Sequence, residues 1–306
     1  MPALETFTSI NLDDLVSSFG WENHPRLARL LRFLFRSQAR RFARQMLDFD
    51  AAVGAYGLTE ASRLTLRSFV RDVRFFLETS TDSEGCSRPV SSFKGAGPLL
   101  VLSNHPGMTD TLALFAALNR SDLKIIALDR PFLKSLPNVS KRLYFVTDEP
   151  AARMALVRQV SGHLRSGGAA LTFPAGQIEP DPDVYPGAVQ SLEAWTDSVG
   201  VFVRLVPETV ILPVLVRGVI WERTARHVVT RFKKTKAERE KLAAALQLLA
   251  HLMLGVRPVS VRVQVGRPIT ATALGSKETQ VVHRAVLAEM ERLIENPPQA
   301  EGQSVL

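Results

Sequence analysis

The sequence has a single cysteine and no long apolar run. One cysteine, Cys86, excludes an internal disulfide framework and a zinc site made of cysteines. No window holds about 18 uninterrupted apolar residues, so no membrane-spanning helix is predicted. Residues 1–20 carry acidic side chains and lack the apolar segment of a secretory signal. We therefore expect a cytoplasmic protein in a reducing compartment.

Acidic residues are outnumbered by basic ones. The 306 residues include 38 Lys and Arg against 30 Asp and Glu, which gives a net charge of +8, and most of the basic residues are Arg. This excess favours an anionic partner such as nucleic acid, acidic lipid or an anionic cofactor. Apolar residues make up 46% of the chain, enough for a sizeable core and too many for wholesale disorder.

The chain divides into three predicted zones. Residues 1–95 read as a helical subdomain, residues 96–295 as an α/β domain and residues 296–306 as a flexible tail, with a Ser- and Gly-rich linker at 80–97. Strands are predicted at 98–103, 124–128, 143–147, 169–173, 200–205, 210–216 and 259–265, and helices at 109–119, 150–166, 187–197, 237–254 and 277–294. This alternation predicts an α/β fold with a mixed, largely parallel sheet flanked by helices.

The segment 25–46 predicts a basic amphipathic helix. It contains seven Arg and no acidic residue. At about 100° per residue, one side carries Leu and Phe and the other carries Arg. The apolar side comprises Leu27, Leu30, Leu31, Leu34, Phe35, Phe42 and Met46, whereas Phe33 and Arg41 break the pattern. Such a helix suits the headgroup layer of an anionic membrane, and the alternative is packing of its apolar side on the protein itself.

A histidine follows the apolar run 99–103, with an aspartate five positions later. Pro106 and Gly107 permit the tight turn that would bring Asp110 back to His105. A carboxylate there can accept the Nδ1 proton and leave Nε2 as a general base. The alternative is a structural histidine beside a helix cap.

The segment 171–180 also passes from a predicted strand into a loop with Pro and Gly. Backbone N–H groups in such a loop can hold an anion or an oxyanion. The alternative is an ordinary turn. Further along, Asp181 and Asp183 are expected to shape a surface loop.

Together these segments resemble the glycerolipid acyltransferase family, which includes lysophosphatidate and glycerol-3-phosphate acyltransferases. The first family motif, N-H-x-x-x-x-D, is matched by Asn104, His105 and Asp110. The third, F-P-E-G-T-R-S, is matched by Phe173, Pro174 and Gly176. The stretches 210–216 and 261–269 are similar to the family's later apolar blocks, in the same order.

The resemblance implies transfer of an acyl group from acyl-CoA or acyl-carrier protein to a hydroxyl of a lipid acceptor. His105 would take the hydroxyl proton and Asp110 would orient His105, with neither a metal nor a cofactor other than the acyl donor. It also implies work at a membrane surface, here the inner face of the membrane. Substrate binding is expected from Asn104, Gly107, Phe173, Pro174, Gly176, Gln177, Glu179, Arg153 and Arg217.

The sequence departs from the family where the family binds phosphate. Ala175, Gln177 and Ile178 stand where the third motif has Glu, Thr and Arg, and Glu179 is displaced. The second motif lacks its Arg, so Arg153 or Arg217 would have to substitute. The acceptor therefore stays open. Two rival functions also stay open: an inactive relative that binds acyl lipids or membranes, and an Arg-rich nucleic-acid-binding protein.

Overall fold

Eight strands and thirteen α-helices are present in the computed structural model, which describes residues 2–77, 97–147, 149–299 and 301–306. The strands are β1 (Asp72–Leu77), β2 (Leu99–Ser103), β3 (Lys124–Leu128), β4 (Leu143–Val146), β5 (Ala169–Thr172), β6 (Val210–Arg217), β7 (Ser260–Val265) and β8 (Gln303–Ser304). The predicted linker at 80–97, except its last residue, and Cys86 lie outside the described residues.

The helices differ widely in length. They are α1 (Pro2–Phe19), α2 (Pro25–Phe69), α3 (Met108–Leu118), α4 (Pro131–Lys134), α5 (Pro137–Ser140), α6 (Pro150–Arg165), α7 (Ala188–Ser191), α8 (Ser198–Leu205), α9 (Glu222–Ala225), α10 (Val228–Arg231), α11 (Lys236–Leu254), α12 (Ala271–Leu274) and α13 (Thr279–Glu295). The helix predicted at 187–197 is only the short α7 followed by a 3₁₀ turn, Leu192–Ala194.

The strands form one sheet in the order β4-β3-β5-β2-β6-β7-β1-β8. Neighbours from β4 to β6 run parallel, as do β7 and β1, whereas the β6–β7 and β1–β8 pairs are antiparallel. The fold is thus the predicted α/β class with a mixed, largely parallel sheet and an N-terminal helical region. Every residue of β2 is buried, as expected for a central strand covered on both faces.

Two apolar clusters cover the faces of the sheet. One contains buried residues of α1, α2 and α3, and the other contains buried residues of α8 and α13 together with Val160 and Leu164 of α6. Because β2, β5 and β6 are adjacent and parallel, their carboxyl ends meet at one edge, where loops from different parts of the chain come together.

The strand predicted at 200–205 is wrong, because this segment belongs to the helix α8. Val199, Phe202, Val203 and Val206 are buried, and their spacing follows the helical period. Gly200 fits tightly against α13, since a Cβ on it would lie 2.5 Å from Thr279 Cα. The β-branched residues in this run favoured a strand, but packing of α8 against α13 prevails.

The predicted zone boundaries also need correction. β1 lies before residue 95 yet pairs in parallel with β7, so the helical region ends at Phe69 and the sheet begins at Asp72. The tail is not simply frayed, because β8 pairs with β1 and Val305 N donates to Val73 O at 3.0 Å. Neither pairing is visible in a local sequence pattern.

The apolar side predicted for segment 25–46 splits in two. Leu31 is buried and Phe35 partly buried against α1, and the α1–α2 contact also covers Ala28. Leu27, Leu30 and Leu34 stay exposed. Together with the exposed Phe33, which lies outside the predicted apolar side, they form a strip that we call the apolar ridge, whose residues are 41–80% exposed. Phe42 and Met46 are partly buried. Within the described part of the chain, no helix is both long and apolar enough to cross a membrane.

Candidate active site

His105 lies two residues after the end of the central strand β2, and Asp110 lies in the first turn of α3. The turn through Pro106 and Gly107 brings His105 Nδ1 within 2.8 Å of Asp110 Oδ2. Asp110 is fully buried, whereas the His105 side chain is 28% exposed. When Nδ1 carries the proton and donates it to Asp110, Nε2 is left as an acceptor. The predicted pairing of these two side chains is therefore present.

The carboxylate of Asp110 is held by several donors. Gly107 N donates to Oδ2 at 3.0 Å, while Thr111 donates to Oδ1 through its backbone N and its hydroxyl. Burial alone would lower the pKa of His105, but the charge and hydrogen bond of Asp110 outweigh it. With a smaller contribution from Glu179, the pKa of His105 lies above its ordinary value of 6.5. The site thus favours an imidazole that readily accepts a proton.

Asn104 and Gly107 position the loop that carries His105. Asn104 is buried, and both ends of its amide pair with the backbone of Val216 at 2.9 and 2.8 Å, which joins the ends of β2 and β6. Gly107 lies close to the loop after β6, because a Cβ on it would lie 3.2 Å from Val219 Cγ1. Through these contacts Asn104 acts as a positioning residue for the His105 loop. Its predicted contact with substrate stays a prediction.

The loop after β5 lies beside His105. The Phe173 ring is 4.7 Å from the His105 ring, centre to centre, and tilted by 34°. Gly176 has a φ of 64°, which favours glycine, and its N donates to Phe173 O to close the turn. Pro174 is buried, whereas Gln177 and the neighbouring Ile178 are exposed. Of the residues predicted to bind substrate, Phe173 is in ring contact with His105.

Glu179 is buried and bonded to the main chain of His105. His105 N donates to Glu179 Oε2 at 3.1 Å, and Glu179 N donates to His105 O at 2.9 Å. Its other oxygen, Oε1, accepts from Trp195 Nε1 at 2.7 Å and from Ser191 Oγ at 3.2 Å. Burial raises the pKa of Glu179 to about 7, although these hydrogen bonds oppose the shift. Glu179 thus faces inward and holds the His105 loop, and its predicted contact with substrate stays a prediction.

Asp181 has a larger structural role than its sequence suggests. It is 1% exposed rather than on the surface. Its carboxylate accepts from Gly218 N, Val219 N and Ile220 N, the loop that follows β6. Alternating acids in the run from Glu179 to Asp183 thus brace both loops around His105. The alternation of acidic residues and Pro in this run is the sequence feature that could have indicated this structural role.

Arg153 and Arg217 do not converge on His105. Arg153 lies on α6, which follows the edge strand β4, and its Nε donates to Thr147 O at 3.1 Å. Three strand spacings, about 14 Å, separate β4 from β2. Arg217 is buried and donates to Leu293 O and Ile294 O at the end of α13, with Asp183 as its ion-pair partner. Neither arginine is bonded beside His105 in this structure, and their predicted part in binding phosphate stays a prediction.

No metal-binding cluster is evident in the described ranges. They contain no group of three or more His, Cys, Asp or Glu side chains placed to hold a metal ion. His105, Asp110 and Glu179 instead form an arrangement suited to proton transfer and positioning.

Comparisons with known proteins do not establish the function. No protein-family model matches the chain, and no curated protein sequence matches it. Among solved structures, the chain is similar to the crystal structure of the 1-acyl-sn-glycerophosphate (LPA) acyltransferase PlsC from Thermotoga maritima. The identity is 14% and the TM-score is 0.40, with 98% of this chain and 100% of that chain covered. A likeness at that level does not indicate an activity.

Proposed function

We propose that the protein is an acyltransferase of the glycerolipid type that moves a fatty acyl group from a thioester to a hydroxyl of a lipid acceptor. The observation that carries the proposal is the His105–Asp110 pair at the end of β2, with Nδ1 on the buried carboxylate and the ring partly exposed. Its spacing is also that of the first motif of the family that the sequence resembles.

The reaction requires one base and no enzyme nucleophile. Nε2 of His105 removes the proton from the acceptor hydroxyl while its oxygen attacks the carbonyl carbon of the thioester. The carbon–sulfur bond of the resulting tetrahedral intermediate then breaks, and the imidazolium returns the proton to the departing thiolate. Asp110 stabilises the imidazolium and fixes the tautomer throughout.

The neighbouring side chains serve this step by position. Glu179 holds the backbone of His105, and Phe173 limits the movement of its ring by contact. Asn104 and Asp181 hold the ends of β2 and the loop after β6 in register. We therefore assign the catalytic role to His105, with Asp110 as its partner.

The acceptor and the acyl donor are proposed only as classes. The donor is acyl-CoA or acyl-carrier protein, as the resemblance to the family implies. The acceptor is a hydroxyl-bearing lysolipid or glycerol phosphate. The positions of Arg153 and Arg217 do not support a bidentate phosphate contact beside His105, so acceptors without a phosphate belong in any screen.

The apolar ridge supports association with an anionic membrane. Leu27, Leu30, Phe33 and Leu34 stay exposed although the same helix packs on α1 through Leu31 and Phe35. Arg26 and Arg29 lie on the same two turns, which places positive charge beside the exposed apolar strip. This combination favours peripheral binding at the inner face of the membrane.

The function is tested by an acceptor screen. Purified protein is incubated with labelled palmitoyl-CoA, or with palmitoyl-carrier protein, and a mixture of lysolipids, monoacylglycerol and glycerol 3-phosphate, and the products are identified by mass spectrometry. We expect a labelled ester that is lost in His105→Ala. No labelled product with any acceptor would instead favour the inactive lipid-binding relative.

A further inference from the structure

A groove lies between the short helices α9 and α10 and the long helix α11. Its volume is about 560 Å³, and its apolar lining includes Trp221, Val228, Leu246 and Ala250. The loop that carries Trp221 also carries Val219, which contacts Gly107 beside His105. The groove is therefore separated from the candidate active site by this loop, and its lining contains none of the residues assigned to acyl transfer.

Two arginines and a histidine, which can donate hydrogen bonds to an anion, line the same groove. Arg223 forms no salt bridge with any residue in the described ranges, and its guanidinium lies 5.7 Å from the centre of the Trp221 ring. Arg226 is mostly exposed and paired with Glu222, which is also exposed, so the ion pair is accessible to a competing anion. His227 Nδ1 accepts from Val229 N, which leaves Nε2 as a donor.

The sequence around the groove is strongly basic. Residues 222–241 contain eight Lys and Arg against three Glu, a large share of the net charge of the chain. An apolar floor with cationic groups at the rim matches a molecule that has a negatively charged head and an apolar body. A nucleotide or a free inorganic anion lacks an apolar chain that could pack on this floor.

The groove lies on the same side of the molecule as the turn between α1 and α2. Lys241 Nζ donates to Ser17 Oγ at 2.7 Å, and a Cβ on Gly20 would lie 2.7 Å from Lys233 Nζ. α2 and the apolar ridge begin a few residues after that turn. Beside the groove, Val228 is 58% and Phe232 is 82% exposed. Exposed apolar groups therefore lie both on the ridge and at the groove.

We propose that this groove binds the phosphate head group and first acyl carbons of an anionic phospholipid. The phosphate contacts Arg223, Arg226 and His227 Nε2, and displaces Glu222 from Arg226. The acyl carbons lie on Trp221 and Ala250. The groove would hold a lipid of the membrane while the candidate active site works on another molecule. The proposal rests on the proposed function only in requiring that this side of the protein faces a membrane.

The test is a calorimetric titration in the absence of any acyl donor. The probes are dihexanoyl phosphatidic acid below its micelle concentration, the zwitterionic dihexanoyl phosphatidylcholine, and inorganic phosphate. We expect the first to bind clearly more tightly than the other two. The double variant R223Q/R226Q is expected to weaken its binding by about 10-fold or more, because two charge-assisted contacts are lost. Ala250→Trp, which fills the apolar floor, is expected to weaken it similarly.

Two controls make the outcome decisive. R158Q/R284Q removes two exposed arginines from α6 and α13, on the opposite face of the sheet, and is expected to bind like the wild type. Circular dichroism and the melting temperature establish that each variant folds. Equal binding of inorganic phosphate and the lipid, or wild-type binding by R223Q/R226Q, would overturn the proposal. Because no acyl transfer is measured, such a result would leave the role of His105 untouched.

Discussion

Asp110 both orients His105 and raises its pKa. If Asp110 is replaced by Asn, the charge that opposes burial is lost, and the pKa of His105 falls. Because a general base works in its neutral form, the acidic limb of the kcat/KM profile then moves to lower pH. The maximal rate is expected to fall by about 100-fold or more, because the tautomer is no longer fixed.

This prediction is checked by pH–rate profiles of Asp110→Asn against Asp129→Asn, which removes a carboxylate from an ion pair with Lys134 away from His105. The control is expected to match the wild type. A wild-type profile and rate for Asp110→Asn would contradict the orienting role.

Glu179 makes the stability of the fold depend on pH. Its pKa of about 7 lies above its ordinary value of 4.5, so between these two values the folded state binds the proton more firmly than the unfolded state. Stability due to this group is therefore fully present at low pH and is lost as pH rises through about 7. The raised pKa of His105 acts in the same direction.

As pH rises through this range, the free energy of unfolding measured in urea is expected to fall in the wild type. The fall is expected to be smaller in Glu179→Gln, by up to about 3 kcal/mol. Glu193→Gln, an exposed glutamate close by in sequence, provides the control and is expected to keep the wild-type slope. An unchanged slope in Glu179→Gln would mean that its carboxyl does not titrate as described.

At the level of elements, the long helix α2 is interrupted at Gly57. This glycine has φ 80° and ψ 170°, and a Cβ there would meet no neighbouring atom within 4 Å. In Gly57→Ala the strain therefore comes only from the backbone conformation and not from contact with neighbouring atoms. The variant is expected to lose about 1–3 kcal/mol of unfolding free energy.

The matched control is Gly162→Ala, in the regular helix α6, where a Cβ also meets nothing within 4 Å. That change is expected to gain up to about 1 kcal/mol, because alanine favours a helix. Denaturant unfolding of both variants checks the prediction, and equal stability of Gly57→Ala and the wild type would contradict it.

The elements also show what could be predicted from sequence. Central strands such as β2 and β6 are continuous apolar runs, and six of the seven predicted strands are present. The exception, 200–205, is a Val-rich run whose buried residues follow the helical period. β1 was missed because its partner, β7, lies far along the chain. Such pairing depends on the whole sheet rather than on local residues.

The same distinction applies to the site. The His105–Asp110 pair was predictable because a five-residue spacing and a Pro-Gly turn define it locally. The inward orientation of Glu179 and the contact of Asn104 with Val216 were not, because both depend on which strands become neighbours of β2. The burial of Asp181 has the same origin, since its partners belong to the loop after β6.

At the scale of the whole molecule, positive charge and exposed apolar groups coincide at the apolar ridge. The double variant L30S/F33S is expected to weaken binding to vesicles of phosphatidylglycerol and phosphatidylcholine by about 10-fold or more, because two apolar side chains no longer enter the bilayer. Binding by the wild type is expected to weaken with salt.

Vesicle sedimentation checks this prediction, with M154S/L205S as the control. Those two residues are also exposed and apolar, but they lie on α6 and α8, across the sheet from the ridge. The control is expected to sediment like the wild type. Equal losses in both variants would show that the ridge has no special part in membrane binding.

The most direct test of His105 as the general base is the rate of acyl transfer in His105→Ala with and without added imidazole, at fixed concentrations of thioester and acceptor. With the fold verified by circular dichroism, we expect a rate about 100- to 10,000-fold below the wild type. We also expect partial recovery when imidazole in the buffer supplies the missing base. A His105→Ala protein that transfers acyl groups at the wild-type rate without imidazole would contradict this role.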